Sequence, residues 1–174
     1  MTIPQQSKPS AQLNVVITGC SSGIGLYSAQ YLKNKGFCVF PTARSQADLL
    51  HLKQLGFDPI ALDISDSQSV ASAVSEILLK TEGKLYALIN NAGFVQAGAL
   101  KNLSRDMIES QFATNVFGLH QLTQALLPCM LKQKSGRIIH VSSVLGFVPT
   151  PFLGAYNASK YAVEGLADTL RLEL

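Results

Sequence analysis

Tyr156 and Lys160 stand four residues apart in the stretch "YNASK". On a helix that spacing puts both side chains on one face. A tyrosine hydroxyl ordinarily titrates near ~10. An ammonium held beside it favours the phenolate and lowers that value. Such a pair could pass a proton to or from an alcohol or ketone near neutral pH. Ser143, at the end of an apolar run, could hydrogen-bond the same oxygen and stabilise charge developing on it. Tyr31 and Lys35 repeat the spacing. Tyr31 falls late in a helical pattern that leads away from the expected ligand side, so it reads as packing.

These residues need a scaffold, and the chain alternates two kinds of segment. Short apolar runs read as strands at Leu13–Thr18, Phe37–Thr42, Pro59–Asp63, Leu85–Asn90 and Arg137–Ser142. They are mostly continuous, as strands covered on both faces should be. Longer helical patterns separate them. Val70, Val74, Ile77 and Leu78 form one apolar face, with Ser65 and Gln68 at capping-box spacing ahead of it. A second long pattern runs from Leu103 to about Leu131, and Pro128 is expected to kink or end it. Gly36 and Gly56 fall where helix C-caps belong. Repeated strand–helix–strand units imply an α/β fold: a doubly wound parallel sheet of Rossmann type, in three layers. Ligands bind such sheets beyond the carboxyl ends of the strands.

The first strand runs into "TGCSSGIG", Thr18 to Gly25. Backbone amides and the positive end of a helix can cradle a pyrophosphate there if side chains leave room. Gly19 allows the turn, Gly23 the close approach, and Gly25 the packing of helix on strand. The spacing is one residue longer than G-x-G-x-x-G. After the second strand comes "TARSQ", with Arg44 and no acid before Asp48. An arginine there suits a 2′-phosphate, which favours NADP over NAD. The alternative is that Arg44 is a solvated loop residue.

The composition fits one globular unit. The chain has 174 residues, 47% apolar and 14% charged, with net charge +3. No basic stripe of the kind nucleic acid needs is present. Cys20, Cys38 and Cys129 are scattered, arguing against a disulfide framework or zinc site and for a reducing, cytoplasmic compartment. His140, in an apolar run, reads as a packed strand residue, and no metal is expected. Residues 1–12 read as a flexible polar arm, and 13–174 as a dinucleotide-binding catalytic domain. No stretch approaches the ~18 apolar residues of a membrane span.

Taken together, "TGCSSGIG", "NNAG" (Asn90–Gly93), Asn115, Ser143 and "YNASK" resemble the short-chain dehydrogenase/reductase family, from about Leu13 to the last residue. "VVITGCSSGIG" and "YNASKYAVEGLADTLRLEL" are most similar to its 17-beta-hydroxysteroid and retinol dehydrogenase group. The resemblance implies Tyr156 as the acid/base and Lys160 as its tuner and ribose ligand. It implies Ser143 as the orienter of the substrate oxygen, and Asn115 as support for the lysine through a water. Gly19, Ser21, Ser22, Gly23, Ile24 and Gly25 would form the cofactor turn, with Ser21 and Arg44 at the 2′-phosphate. Asp63 would meet the adenine with Ile64 flanking it, and Asn90, Asn91, Ala92 and Gly93 would line the ribose side. Other readings stay open: Asn115 as a mid-helix polar residue, Asp63 as a capping acid, Asn90 as a turn residue.

The activity implied is hydride transfer between NADP and a hydrophobic secondary alcohol or ketone, such as a steroid or retinoid. The apolar loop "VLGFVPTPFLGA", Val144 to Ala155, fits such a substrate, unless it packs under another segment. A non-catalytic NADP-binding sensor or scaffold and a 3-oxoacyl-type reductase are the alternatives. The resemblance also implies a homodimer or homotetramer, packed through the long helix from Leu103 and the catalytic helix. The sequence stops inside that catalytic helix without a C-cap signal. The expectation is a domain cut short after the catalytic helix, with its fifth strand an open edge and weak turnover.

Overall fold

A computed structural model of the chain describes residues 13–174, so the arm assigned to residues 1–12 lies outside it. Five parallel strands form one sheet: β1 (Asn14–Ile17), β2 (Cys38–Ala43), β3 (Ile60–Ala61), β4 (Ala87–Asn90) and β5 (Arg137–His140). Their order is β3-β2-β1-β4-β5, which places the reversal of winding between β1 and β4. The helices are α1 (Gly23–Asn34), α2 (Gln46–Gln54), α3 (Ser67–Lys80), α4 (Arg105–Phe112), α5 (Leu119–Gln133) and α6 (Gly154–Glu173). The doubly wound, three-layer architecture expected from the alternation is the one observed.

Strand alternation sorts the core into two layers. Val15, Ile17 and Ala87 pack on α1 and α2 through Ala29, Leu49, Leu52 and the following Phe57. Val16 and Leu88 pack on α3 and α5 through Val70, Ile77, Leu122 and Leu126. Each fully buried Leu or Ile side chain contributes roughly 1.5–3 kcal/mol. β5 departs from the two-face expectation. Ile139 is 48% exposed, because no described helix covers that face of the edge strand.

Local signals mostly hold. Gly36 and Gly56 follow α1 and α2, and the amides of Phe37 and Phe57 return to the carbonyls of Leu32 and Leu52. The cap of α3 is Asp66, whose carboxylate accepts the Gln68 amide at 3.0 Å, and not Ser65. Ser65 instead donates its hydroxyl to Asp63. Pro128 does not end its helix, since α5 runs on to Gln133. Pro128 and Gln124, whose carbonyl it leaves free, both lie on the exposed face, where water can serve that carbonyl. The irregularity comes earlier, as a π-helical segment over Ala113–Gly118 between α4 and α5.

Candidate active site

Beyond the carboxyl ends of β1, β2, β3 and β4 opens a cleft of about 770 Å³. Gly19, Ser21, Ser22 and Ile24 line it from the first turn, Arg44 from the second. Asp63 and Ile64 enter after β3, and Ala92 and Gly93 after β4. Gly23, Gly25, Asn90, Asn115, Ser143, Tyr156 and Lys160 do not line it.

The turn after β1 is built by close approach. Gly19 sits at φ +70, and a Cβ on it would meet Ala92 Cα at 2.8 Å. A Cβ on Gly25 would collide with the Gly19 carbonyl and stand 2.5 Å from Asn91 Nδ2. Gly25 therefore packs the helix onto the turn, and not onto a strand. Thr18 and Asn91 hold this arrangement. Thr18 is fully buried, and its Oγ1 accepts the amides of Asn91 and Ala92 at 3.0 and 2.9 Å. Asn91 Nδ2 donates to the carbonyls of Thr18 and Gly19 at 2.9 and 3.0 Å. Both stand in the quoted motifs, as the residue before Gly19 and the second Asn of "NNAG".

The N-terminus of α1, like that of α6, has no side-chain cap, unlike those of α2, α3 and α4. Ser45, Asp66 and Ser104 cap α2, α3 and α4 with side-chain oxygens. Ser22 makes no such bond, and the first turn of α1 carries no acid. The first amides of a helix need acceptors. An uncapped N-terminus facing a glycine-cleared cleft fits an anionic group such as a pyrophosphate.

At the far side of the cleft Arg44 Nη1 lies 3.9 Å from Asp63 Oδ2, with 77% of its own side chain exposed. The Asp63 carboxyl is held below its ordinary range, first by the Ser65 hydroxyl and less by Arg44. Asp63 is therefore a loop-ordering acid in this structure, while Asp66 does the capping. Asn90 is buried at the end of β4, its Nδ2 donating to Thr123 Oγ1 at 2.9 Å and lying 3.2 Å from His140 Nδ1. Its side chain ties β4 to α5 and β5 and does not reach the ribose side of the cleft. His140 is half-buried at that contact, and burial pulls its ring below the usual histidine range.

The π-segment places Asn115 inward. Its Oδ1 accepts the Phe94 amide at 3.2 Å. Its Nδ2 donates to the Phe94 carbonyl and to Ser159 Oγ, each at 3.1 Å. A buried side chain with all these bonds is more than a chance polar residue in a helix. Phe94 lines the cleft, and Ser159 Oγ donates to the Tyr156 carbonyl at 2.7 Å. Asn115 thus links the cleft to α6. A bridge between Gly98 and Leu153 also joins the loop after β4 to the start of α6.

On α6 the two expected side chains meet. Lys160 is 6% exposed, its Nζ 5.6 Å from the centre of the Tyr156 ring and donating to the Val141 carbonyl at 2.7 Å. Burial lowers the Lys160 ammonium from its ordinary range. Ser143 Oγ accepts the Leu145 amide at 3.1 Å, leaving its own proton free to be donated. Tyr31 is 51% exposed, with Lys35 Nζ 5.4 Å above its ring. It is a surface pair and not packing, because the buried face of α1 is made by Gly25 and Ala29.

This geometry agrees with the comparisons. A family model described as short chain dehydrogenase matches residues 13–174. The chain belongs to the short-chain dehydrogenase family. An uncharacterized oxidoreductase, YbbO, of Escherichia coli is 48% identical over 163 residues, covering 94% of this chain and 61% of the relative. Human 17-beta-hydroxysteroid dehydrogenase type 1 is 38% identical, covering 94% of this chain and 53% of its own length. The crystal structure of a gluconate 5-dehydrogenase from Burkholderia cenocepacia, in complex with NADP and tartrate, superposes with a TM-score of 0.83 at 25% identity. It is matched over 92% of this chain and 65% of that one. The chain thus spans between 53% and 61% of the length of these two curated relatives. No helix among the described residues is long and apolar enough to cross a membrane.

Proposed function

We propose that the protein is an NADP-dependent oxidoreductase that interconverts a hydrophobic secondary alcohol and its ketone. The observation that carries this reading is the Tyr156–Lys160 pair, with Nζ 5.6 Å from the ring centre. Asn115, bonded to Phe94 of the cleft and to Ser159 of α6, connects that pair to a cleft cleared by glycines and bordered by an uncapped helix N-terminus. The nicotinamide, when bound, supplies or accepts the hydride. Every other part of the reaction falls to side chains of this chain.

Ser22 and Ile24, with the first amides of α1, would hold the pyrophosphate, and Ser21 would stand with Arg44 at the 2′-phosphate. Arg44 takes the 2′-phosphate, exchanging its contact with Asp63 for a charge-assisted bond. Tyr156 gives its phenolic proton to the carbonyl oxygen in reduction and takes it back in oxidation. Lys160 stabilises the phenolate by its charge. Ser143 donates its hydroxyl proton to the same oxygen and fixes the substrate. Asn115 supports the lysine by holding α6 against the loop after β4. A relative whose name includes NADPH dependence, the 1-acyldihydroxyacetone phosphate reductase of Schizosaccharomyces pombe, supports the cofactor assignment.

Apolar side chains near Ser143 support a hydrophobic substrate. Val144, Phe147, Val148 and Phe152 are each more than half exposed. Phe152 holds φ +65, a conformation that side chains rarely adopt, and its carbonyl accepts the Gly98 amide at 2.8 Å. Such a wall suits steroid-, retinoid- or long-chain-sized carbonyls. We assign the protein to the cytoplasm on its scattered, unpaired cysteines and to a homodimer or homotetramer on the family resemblance. A screen of ketones graded by size and polarity, followed by NADPH absorbance, tests the activity. Turnover is expected to rise with the apolar area of the substrate. NADPH that binds but is consumed by no ketone would overturn the reading in favour of a sensor.

A further inference from the structure

Glu164 lies one helical turn beyond Lys160 on α6, on the face that already carries Tyr156 and Lys160. It is half-buried. Gly146, opposite it, makes the room. A Cβ there would meet Glu164 Cγ at 3.0 Å, the Lys160 carbonyl at 3.1 Å and Ser142 Oγ at 3.1 Å. Ser142 Oγ is buried and, among the described residues, has no hydrogen-bond partner. The Glu164 side chain therefore packs over Gly146, on the same side of α6 as the lysine.

Lys160 needs this neighbour. Its Nζ is held by a neutral carbonyl, that of Val141. Among the described residues no carboxylate reaches it at ion-pair distance. A buried ammonium without a counter-charge tends to give up its proton. Few other charges face the spot. β5 brings His140, which is pulled toward its neutral form by burial. The segments Ala113–Gly118 and Val144–Gly146 carry no titratable side chain. The charges of α4, Arg105, Asp106 and Glu109, are exposed, with Arg105 paired to Glu109. Asp168, the next acid along α6, is exposed and pairs with Arg171.

We propose that Glu164 is a positioning residue for the catalytic pair, its carboxylate being the counter-charge that keeps Lys160 an ammonium where it faces Tyr156. The role in turnover rests on the reading of Tyr156 and Lys160 given above; the effect of the Glu164 charge on Lys160 does not. The field of Glu164 raises the proton affinity of both Lys160 and His140. Removing it leaves the burial of Lys160 unopposed.

The test is a pH titration of the lysine side chains by NMR, in protein carrying 13C-labelled lysine. The Lys160 signal is identified by its loss in Lys160→Arg. Glu164→Gln is expected to lower the Lys160 midpoint by about 0.5–1 pH unit. Glu164→Asp should restore most of the difference, and Asp168→Asn should leave the midpoint where it was. Glu164→Ala, tolerated by helix propensity, should reproduce the shift and serves if the Gln variant folds poorly. A Lys160 midpoint unmoved in both variants overturns the proposal, whether or not the protein turns over. In the assay, the alkaline limb of kcat/KM should move down with the midpoint. An equal loss at every pH would instead make Glu164 a structural residue and overturn its positioning role. Since the NMR midpoint needs no substrate, its failure is distinguishable from failure of the catalytic reading, which Tyr156→Phe tests.

Discussion

Tyr156→Phe is expected to lower kcat/KM by about 10²–10⁴-fold, the range general acid–base groups supply. Affinity for NADPH should stay within about twofold, because the ring remains and the residues lining the cleft are untouched. The phenyl ring keeps its place above Lys160, at the 5.6 Å that separates Nζ from the ring centre. Only the proton carrier disappears. Stopped-flow or steady-state NADPH oxidation, read beside a binding titration, separates the two effects. Turnover within tenfold of the unaltered protein would remove Tyr156 from the acid/base role. A parallel loss of cofactor affinity would make it a binding residue.

Gly118→Ala should be the most damaging small substitution in the scaffold. A Cβ at this buried position collides with the carbonyl oxygen of Ile64 and comes within 2.9 Å of Ile64 Cγ1. The obstacle is backbone and cannot rotate aside. Overpacking of this kind costs about 3 kcal/mol. For a domain of this size that corresponds to a fall in Tm of roughly 6–12 °C. Ile64 lines the cleft, so the shift also reaches the cofactor side. The expected result is a lower Tm together with NADPH affinity weakened about tenfold. A variant with unchanged Tm would show that the π-segment and the loop after β3 do not meet as described.

Much of this was legible in the chain. The parallel sheet follows from unbroken apolar runs alternating with helical ones, and the order of motifs puts the glycine turn, Arg44 and Asp63 at strand ends and Tyr156 on the helix after the fifth strand. Patterning could not reveal the π-segment, because it differs from α-helix by one hydrogen-bond register and keeps the same apolar face. Nor could it foresee that Pro128 is harmless, which depends on which side of α5 meets solvent. The roles of Thr18 and Asn91 arise from contacts between loops seventy-three residues apart. Asn90 was misplaced for a similar reason. The alternation of the strand sends its side chain toward Thr123 and His140, and its neighbour Asn91 to the turn. The cap of α3 falls on Asp66 because the helix begins at Ser67, one residue later than the spacing of Ser65 and Gln68 suggests.

Everything chemical depends on the cleft being a site for NADP(H). The most direct measurement is a pair of fluorescence titrations, NADPH and NADH, on the unaltered protein and on Arg44→Gln. Loss of one charge-assisted bond to the 2′-phosphate is worth about 10–100-fold in affinity. NADPH is expected to bind tighter than NADH by that factor, with the gap closed in Arg44→Gln and NADH binding left within about twofold. Equal affinity for the two nucleotides in the unaltered protein, or a preference for NADPH that survives the loss of Arg44, would contradict it.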